Sequence, residues 1–347
     1  MKIAVIGLGV AGLAVAARLA QAGHAVVGFE QFELMHERGS SHGDTRIIRL
    51  TPGEGDAYVR LAEQAAPIWS AWESENGAPL LHWSGGLMAG PPGSAFVQSC
   101  RALGARYGRP AAVYAPAIEG SLRFPDDWEV CRQSDCGVVY ADDVRRFLIG
   151  KAQRLGVKLH ANTAKPYEAA QGFDATIVTA GPWAAKLFPD LLRVERRVVG
   201  WFKVAGRVPV ICVDDAPGVF GMPTPDGLYK IGLHAVGDVV DPDQIDPPNA
   251  ADAALLAEHA GQYLRLDEPL PVRMKTCLYT LTADSNFLIT PLAPNTLVLS
   301  CCSGHGFKYA PAYGEIAFDW IEGRETPELA AFAASPQAQT TRLGGAG

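Results

Sequence analysis

The 347-residue sequence has seven cysteines, at 100, 131, 136, 212, 277, 301 and 302, but no CxxC pair, and an odd number cannot close into a complete set of disulfides. This disfavours a disulfide-stapled secreted scaffold and fits a reducing, cytoplasmic setting. No uninterrupted apolar run approaches the ~20 residues that a membrane span needs. The apolar stretch from Ile3 to Ala17 has one basic residue before it and glycines at phosphate-loop spacing, which argues against a signal peptide. Basic charge is also short. Thirty Lys and Arg stand against 37 Asp and Glu, giving a net charge of −7, so a partner recognised through a phosphate backbone is not expected. Internal repeats and histidine or cysteine clusters with zinc spacing are missing too, and no metal is expected. What remains is a globular composition, 48% hydrophobic, long enough for about two domains.

The chain opens on a βαβ pattern: strand 2–6, a glycine turn, helix 10–22 and strand 25–29 ending in Glu30. Tyr58, Leu61, Ala62, Ala65, Ile68, Trp69 and Trp72 predict a helix over 55–75. Between 83 and 137 short apolar runs are broken by Gly-Gly, Pro-Pro and Phe-Pro-Asp-Asp, as in a different domain. Helical spacing returns at 141–155, and the runs 157–160 and 175–180 read as parallel strands rejoining the first sheet. From 194 to 235 four short β-rich segments suggest an antiparallel sheet. A helix at 249–263 and a strand at 272–282 follow, and the tail from Ala330 reads as disordered. The expected class is α/β: a Rossmann-like domain (1–82, 138–193, 284–347) interleaved with an antiparallel α+β substrate domain (83–137, 194–283).

Gly7-Leu8-Gly9-Val10-Ala11-Gly12 forms the G-x-G-x-x-G fingerprint. Its first glycine permits the tight turn, its second lets backbone approach a pyrophosphate, and its third allows close helix–strand packing. Amides at the helix start, Val10 and Ala11 among them, would hold the phosphates. Glu30 is placed for the adenosine ribose, and no basic residue follows it to receive a 2′-phosphate. That leaves NAD or FAD. A second glycine turn, Ser303-Gly304-His305-Gly306-Phe307-Lys308, lies near the other end of the chain and precedes a helix. A long flavin dinucleotide uses distant segments at its two ends, so the pairing points to a flavoprotein.

Three segments go further: Ser40-Ser41-His42-Gly43-Asp44-Thr45-Arg46-Ile47-Ile48-Arg49, Lys275-Thr276-Cys277-Leu278-Tyr279-Thr280, and Ser303 to Lys308. In order along nearly the whole chain, they resemble the monomeric sarcosine oxidase and N-methyltryptophan oxidase family, within the D-amino-acid-oxidase-like flavoenzymes. The resemblance implies FAD attached covalently through Cys277. It implies Arg46 and His42 beside the flavin, Lys230 for oxygen activation, and Arg49 with Lys308 for the substrate carboxylate. Tyr279 and His234 would line the substrate cavity. Ser41, Thr45, Gly181, Trp183, Gly304, His305, Gly306 and Phe307 complete the expected cofactor contacts, His305 mainly through its backbone. His24, His36, His82, His160 and His259 receive no role.

Spacing alone leaves Arg46 and Arg49 open: an extended strand would turn them to opposite sides, a helical turn to the same side. The chain also departs from the family pattern at Leu50-Thr51-Pro52 and at Tyr229, which implies a reshaped cavity. The expected activity is oxidation of a small or cyclic secondary α-amino acid by hydride transfer to the flavin, with oxygen reduced to hydrogen peroxide in a cytoplasmic monomer. Alternatives are a dehydrogenase passing electrons to a protein or quinone, a non-catalytic flavin-binding protein, and an NAD-dependent enzyme.

Overall fold

The computed structural model describes residues 1–109, 111–114 and 120–333. It is mixed α/β, and the chain divides into two compact units, each built from separated segments. The first comprises Met1–His42, Asp142–Glu195 and the chain from Leu278; the second comprises Gly43–Ala141 and Arg196–Cys277. No helix among the described residues is long and apolar enough to cross a membrane.

In the first unit the strand Lys2–Ile6 is buried from Ile3 onward, the signature of a strand covered on both faces. It pairs in parallel with Ala25–Phe29 on one side and Ala175–Val178 on the other. Lys158–His160 and Thr296–Ser300 extend the parallel sheet outward, and Leu288–Ala293 closes one edge antiparallel. The chain therefore leaves the first strand to one side and returns on the other, creating a switch point at the carboxyl ends of the strands, where this class of sheet binds ligands. Both glycine turns emerge at that edge, because Lys2–Ile6 and Thr296–Ser300 run in the same direction.

The helix Val10–Gln21 packs against Ala310–Ile321, joining sequence-distant parts of the chain. A Cβ at Gly314 would stand 2.8 Å from Arg18 Cβ and 3.1 Å from Ala14 O. The glycine thus sets the close approach, and Arg18 seals it by donating to Glu315 at 2.7 Å and covering the Phe318 ring at 3.7 Å. The expected helix 10–22 and strands 2–6 and 25–29 appear within one residue of their predicted bounds.

The second unit is built on an eight-stranded sheet whose middle strands, Tyr229–Leu233, Val219–Pro223 and Val210–Val213, pair antiparallel. Val210–Val213 then pairs in parallel with Gly86–Gly90, which continues antiparallel to Glu129–Gln133. One face packs on Ala250–Tyr263, where Leu256, Ala260 and Tyr263 meet Phe202, Ile231 and Leu233. That helix starts at a capping box: Asn249 accepts from the amide of Asp252, and Asp252 accepts from the amide of Asn249. A small sheet of Thr45–Arg49, Cys136–Tyr140 and Leu81–His82 lies in the same unit.

Residues 43–82 group with this second unit rather than the first, where the sequence had placed them, because Thr45–Arg49 and Leu81–His82 both pair with Cys136–Tyr140. The expected helix at 55–75 is Asp56–Asn76. Within the broken 83–137 region a helix, Ala95–Arg106, is capped by Ser94, whose Oγ accepts from Val97 N at 3.1 Å. Its buried face is Val97, Cys100, Leu103 and Gly104, where the cysteine and the glycine mark the apolar stripe only weakly. Of the tail expected to be disordered from Ala330, residues 330 and 331 close the helix Pro327–Ala331, and 334–347 lies outside the described residues.

A Cβ at Gly12 would collide with Gly7 O and stand 2.6 Å from Thr179 Oγ1. Gly12→Ala is accordingly expected to lower the unfolding free energy by about 1–3 kcal/mol, the usual cost of overpacking a tight contact. Urea denaturation with an unchanged m value checks this.

Candidate functional site

The candidate residues fall into two groups, one on each unit. On the first, Gly7 has φ 88, and its turn is held by Thr179, whose Oγ1 donates to Ile6 O at 3.0 Å and to Gly7 O at 2.7 Å. Gly9 is the N-cap of the first helix and offers no side-chain cap, and the first turn carries no acid. Positive potential at this helix start is therefore left for an anion. Ser41 Oγ accepts from Val10 N at 3.1 Å, fixing the 40–42 segment beside the glycine turn. Ser40 Oγ meanwhile donates to Leu278 O at 2.6 Å.

Glu30 is buried, and its carboxylate accepts from Leu8 N at 2.8 Å and from Phe32 N at 3.2 Å. Burial alone would raise its pKa, but the hydrogen bond and charge of His36 and these amides outweigh that and hold it below the ordinary range. His36, given no role from sequence, stands with Nε2 at 3.6 Å from Glu30 Oε1. It sits on an irregular loop, where periodicity carries no information. Phe32 packs edge-on against both His36 and Trp183, at 5.0 and 5.1 Å between centroids. Trp183 ends the short 3₁₀ turn that begins at Gly181, φ 52. A glycine cradle, an ionised buried carboxylate and an aromatic wall fit the phosphate and adenosine portion of a dinucleotide.

The second glycine turn is held in the same unit. Ser303 and Gly304 are both left-handed, φ 40 and φ 77, and Ser303 N donates to Thr280 O at 3.0 Å. A Cβ at Gly304 would overlap the Tyr279 ring, and one at Gly306 would overlap Cys301 O, so each glycine serves a close approach. The His305 ring stacks on Phe287 at 5.0 Å. Lys308 is buried at the following helix start, with Nζ donating to His305 O at 2.8 Å. His42 is buried at the end of the first segment.

On the second unit, Arg46 and Arg49 lie on the strand Thr45–Arg49, so three residues apart they face opposite sides. Arg46 Nη1 donates to Thr45 O at 2.9 Å and Gly43 O at 3.3 Å, and its Nη2 is 4.0 Å from Cys277 Sγ. Lys230, 2% exposed, donates from Nζ to the same two carbonyls, at 2.7 and 2.9 Å. Thr45 Oγ1 is a buried hydroxyl with no hydrogen-bond partner in the protein, a group that an added ligand could satisfy.

Arg49 is buried, and its Nη2 donates to both carboxylate oxygens of Glu54 at 3.0 and 3.2 Å, a partner not legible in the sequence. Burial opposes its charge, but Glu54 outweighs that and raises its pKa well above the ordinary value. Its other edge meets Met88 Sδ at 3.4 Å and Cys100 Sγ at 3.8 Å, and Phe96 lies 5.4 Å from its centre. His234 follows the strand that carries Lys230 and is exposed. No group of three or more His, Cys, Asp or Glu is arranged to hold a metal among the described residues.

A family model described as FAD dependent oxidoreductase matches residues 2–320. The chain is 30% identical to a monomeric sarcosine oxidase of Streptomyces avermitilis, over 91% of this chain and 92% of that protein. It is equally similar, at 30%, to an N-methyl-L-tryptophan oxidase of Salmonella dublin, over 92% and 94% of the two. Among solved structures, NikD, an amino acid oxidase of nikkomycin biosynthesis, superposes with a TM-score of 0.80 at 21% identity, covering 95% of this chain and 96% of that one. An L-proline dehydrogenase of P. horikoshii also superposes at 0.80, with 19% identity and 96% of both chains covered.

Burial pushes the Cys100 thiol up from 9.0 to about 12, so it is neutral beside Arg49 at neutral pH. A folded-state value above the unfolded one means that the folded protein keeps a proton the unfolded chain releases. Its contribution is intact below pH 9 and lost as pH rises toward 12. Unfolding free energy measured against pH should decline over that window, less steeply in Cys100→Ala.

Proposed function

Since the chain belongs to the FAD dependent oxidoreductase family, we propose that it is an oxidase of a small or cyclic secondary α-amino acid, with oxygen as acceptor and hydrogen peroxide as product. Bound FAD would supply the two-electron acceptor for hydride from the α- or N-methyl carbon. The phosphates and ribose go to Gly7, Gly9, Val10, Ala11, Gly12 and Glu30, with Ser41, Gly181 and Trp183 nearby. Thr45 and Arg46 serve the ring system, together with His42 and the turn Gly304-His305-Gly306-Phe307-Lys308. The amides of that turn and the Lys308 ammonium favour the gain of negative charge.

Arg49 and Lys308 hold the substrate carboxylate, which replaces Glu54 on Arg49. Tyr279 and His234 border the substrate. Cys277 forms the covalent link, and the Arg46 guanidinium stands 4.0 Å from its sulfur.

The observation carrying the oxidase reading is Lys230: a buried ammonium fixed on two carbonyls. Oxygen becomes anionic as it gains electrons, and a preorganised cation lowers that barrier without reorganising solvent. Departures at Leu50-Thr51-Pro52 and Tyr229 leave the substrate side chain to experiment. Anaerobic bleaching by sarcosine, pipecolate, proline and N-methylated aromatic amino acids tests the class directly, and absence of bleaching by any of them overturns it. Peroxide formed per turnover in air separates an oxidase from a dehydrogenase.

Two outcomes follow. Lys230→Met should slow reoxidation by oxygen about a hundredfold while leaving anaerobic reduction nearly unchanged; stopped-flow absorbance of the two half-reactions checks it. Acid precipitation should leave the yellow colour on the protein, with FAD mass on the peptide containing Cys277, and colour lost entirely to the supernatant would refute the link.

A further inference from the structure

Lys230 lies at the inner end of a run of contacts that begins at the surface. The two carbonyls it meets, Gly43 O and Thr45 O, flank Asp44. They converge because Gly43 has φ 97 and Asp44 φ 56, and because Thr45 N closes onto Gly43 O at 2.7 Å. A left-handed aspartate is unfavourable unless its surroundings hold it. Two contacts do so: Ala141 N donates to Asp44 O at 2.7 Å, and Arg273 Nη2 donates to Asp44 Oδ2 at 2.7 Å.

Arg273 has a second hold. Its Nη1 stands 2.8 Å from Asp226 Oδ2, in the hairpin turn that leads into the strand Tyr229–Leu233. Asp226 is itself locked, since Oδ1 accepts from Thr224 Oγ1 at 2.6 Å and Leu228 N at 3.3 Å. The guanidinium also covers the Trp201 ring at 4.7 Å, and Lys230 Nζ lies 5.2 Å from the same ring. Trp201 is fully buried and directly opposite Lys230 in the sheet.

We propose that Arg273 is a positioning residue for Lys230. Its planar fork ties the loop bearing the two carbonyls to the hairpin that launches the lysine's strand, and so sets where the ammonium stands. This rests on the reading of Lys230 as the group that promotes reaction with oxygen. The Arg273 side chain is 41% exposed, so its ion pairs add little to folding stability. Its effect falls instead on geometry, to which a catalytic cation is sensitive.

The test compares the holoenzyme with Arg273→Gln, Arg273→Lys, Lys230→Met and the double variant Lys230→Met/Arg273→Gln. Arg273→Gln should slow reoxidation by oxygen about three- to tenfold, with anaerobic reduction unchanged. Arg273→Lys should recover only part of this, because an ammonium cannot fork onto both acids. The double variant should be no slower than Lys230→Met, and hydrogen exchange in the peptide spanning 43–46 should rise in Arg273→Gln. Equal slowing of both half-reactions, an undiminished effect of Arg273→Gln in the Lys230→Met background, or unchanged exchange at 43–46 would each overturn the proposal. Normal reoxidation in Lys230→Met would instead overturn the reading of the lysine, and the exchange measurement would still decide whether Arg273 holds the loop.

Discussion

Two backbone carbonyls, those of Gly43 and Thr45, receive two cations. Arg46 reaches them from its own strand, and Lys230 from the large sheet. Like charges this near repel, and the arrangement stands because the carbonyl dipoles satisfy both and because the turn at Asp44 aims them together. Much of the second unit's candidate chemistry depends on that turn. Arg46 is held where its other nitrogen stands by Cys277, and Lys230 donates inward to these two carbonyls. In a helix the two carbonyls would be taken by backbone amides four residues on, and in a regular strand they would stand about 6.6 Å apart.

The first unit meets a complementary requirement by other means. Under the proposed function a bound dinucleotide would bring negative phosphates, and the start of the first helix, which has no acid in its first turn and no side-chain cap, suits them. The same sheet edge also carries the turn at 303–308, where consecutive left-handed residues bend the backbone before the last long helix. Packing between Val10–Gln21 and Ala310–Ile321, through Gly314 and Arg18, keeps these sequence-distant turns on one rigid frame.

The glycine fingerprint, the buried first strand and Glu30 were legible because each follows from a local rule: spacing, periodicity or a fixed interval. The three family-like segments pointed to further candidate site residues, and the strand at Thr45–Arg49 resolved which way its two arginines face. Residues acting through distant partners were not legible. Glu54 looks like any loop acid until Arg49 is seen against it, His36 like a surface histidine until Glu30 is buried beside it, and Arg273 like a solvated strand end. The grouping of 43–82 with the second unit likewise depends on pairing with a strand some ninety residues away in sequence at Thr45, which no local pattern records. The helix Ala95–Arg106 escaped because its inner face is made of a valine, a cysteine, a leucine and a glycine.

Arg49 already has a counter-ion. Buried against sulfur and an aromatic ring, its guanidinium is neutralised by Glu54, and under the proposed function a substrate carboxylate would have to trade places with that side chain. On that proposal the position would act as an ion exchanger, with selection depending on the difference between two carboxylates. An amine without an acid group would then have nothing to offer in exchange and would leave the pair closed.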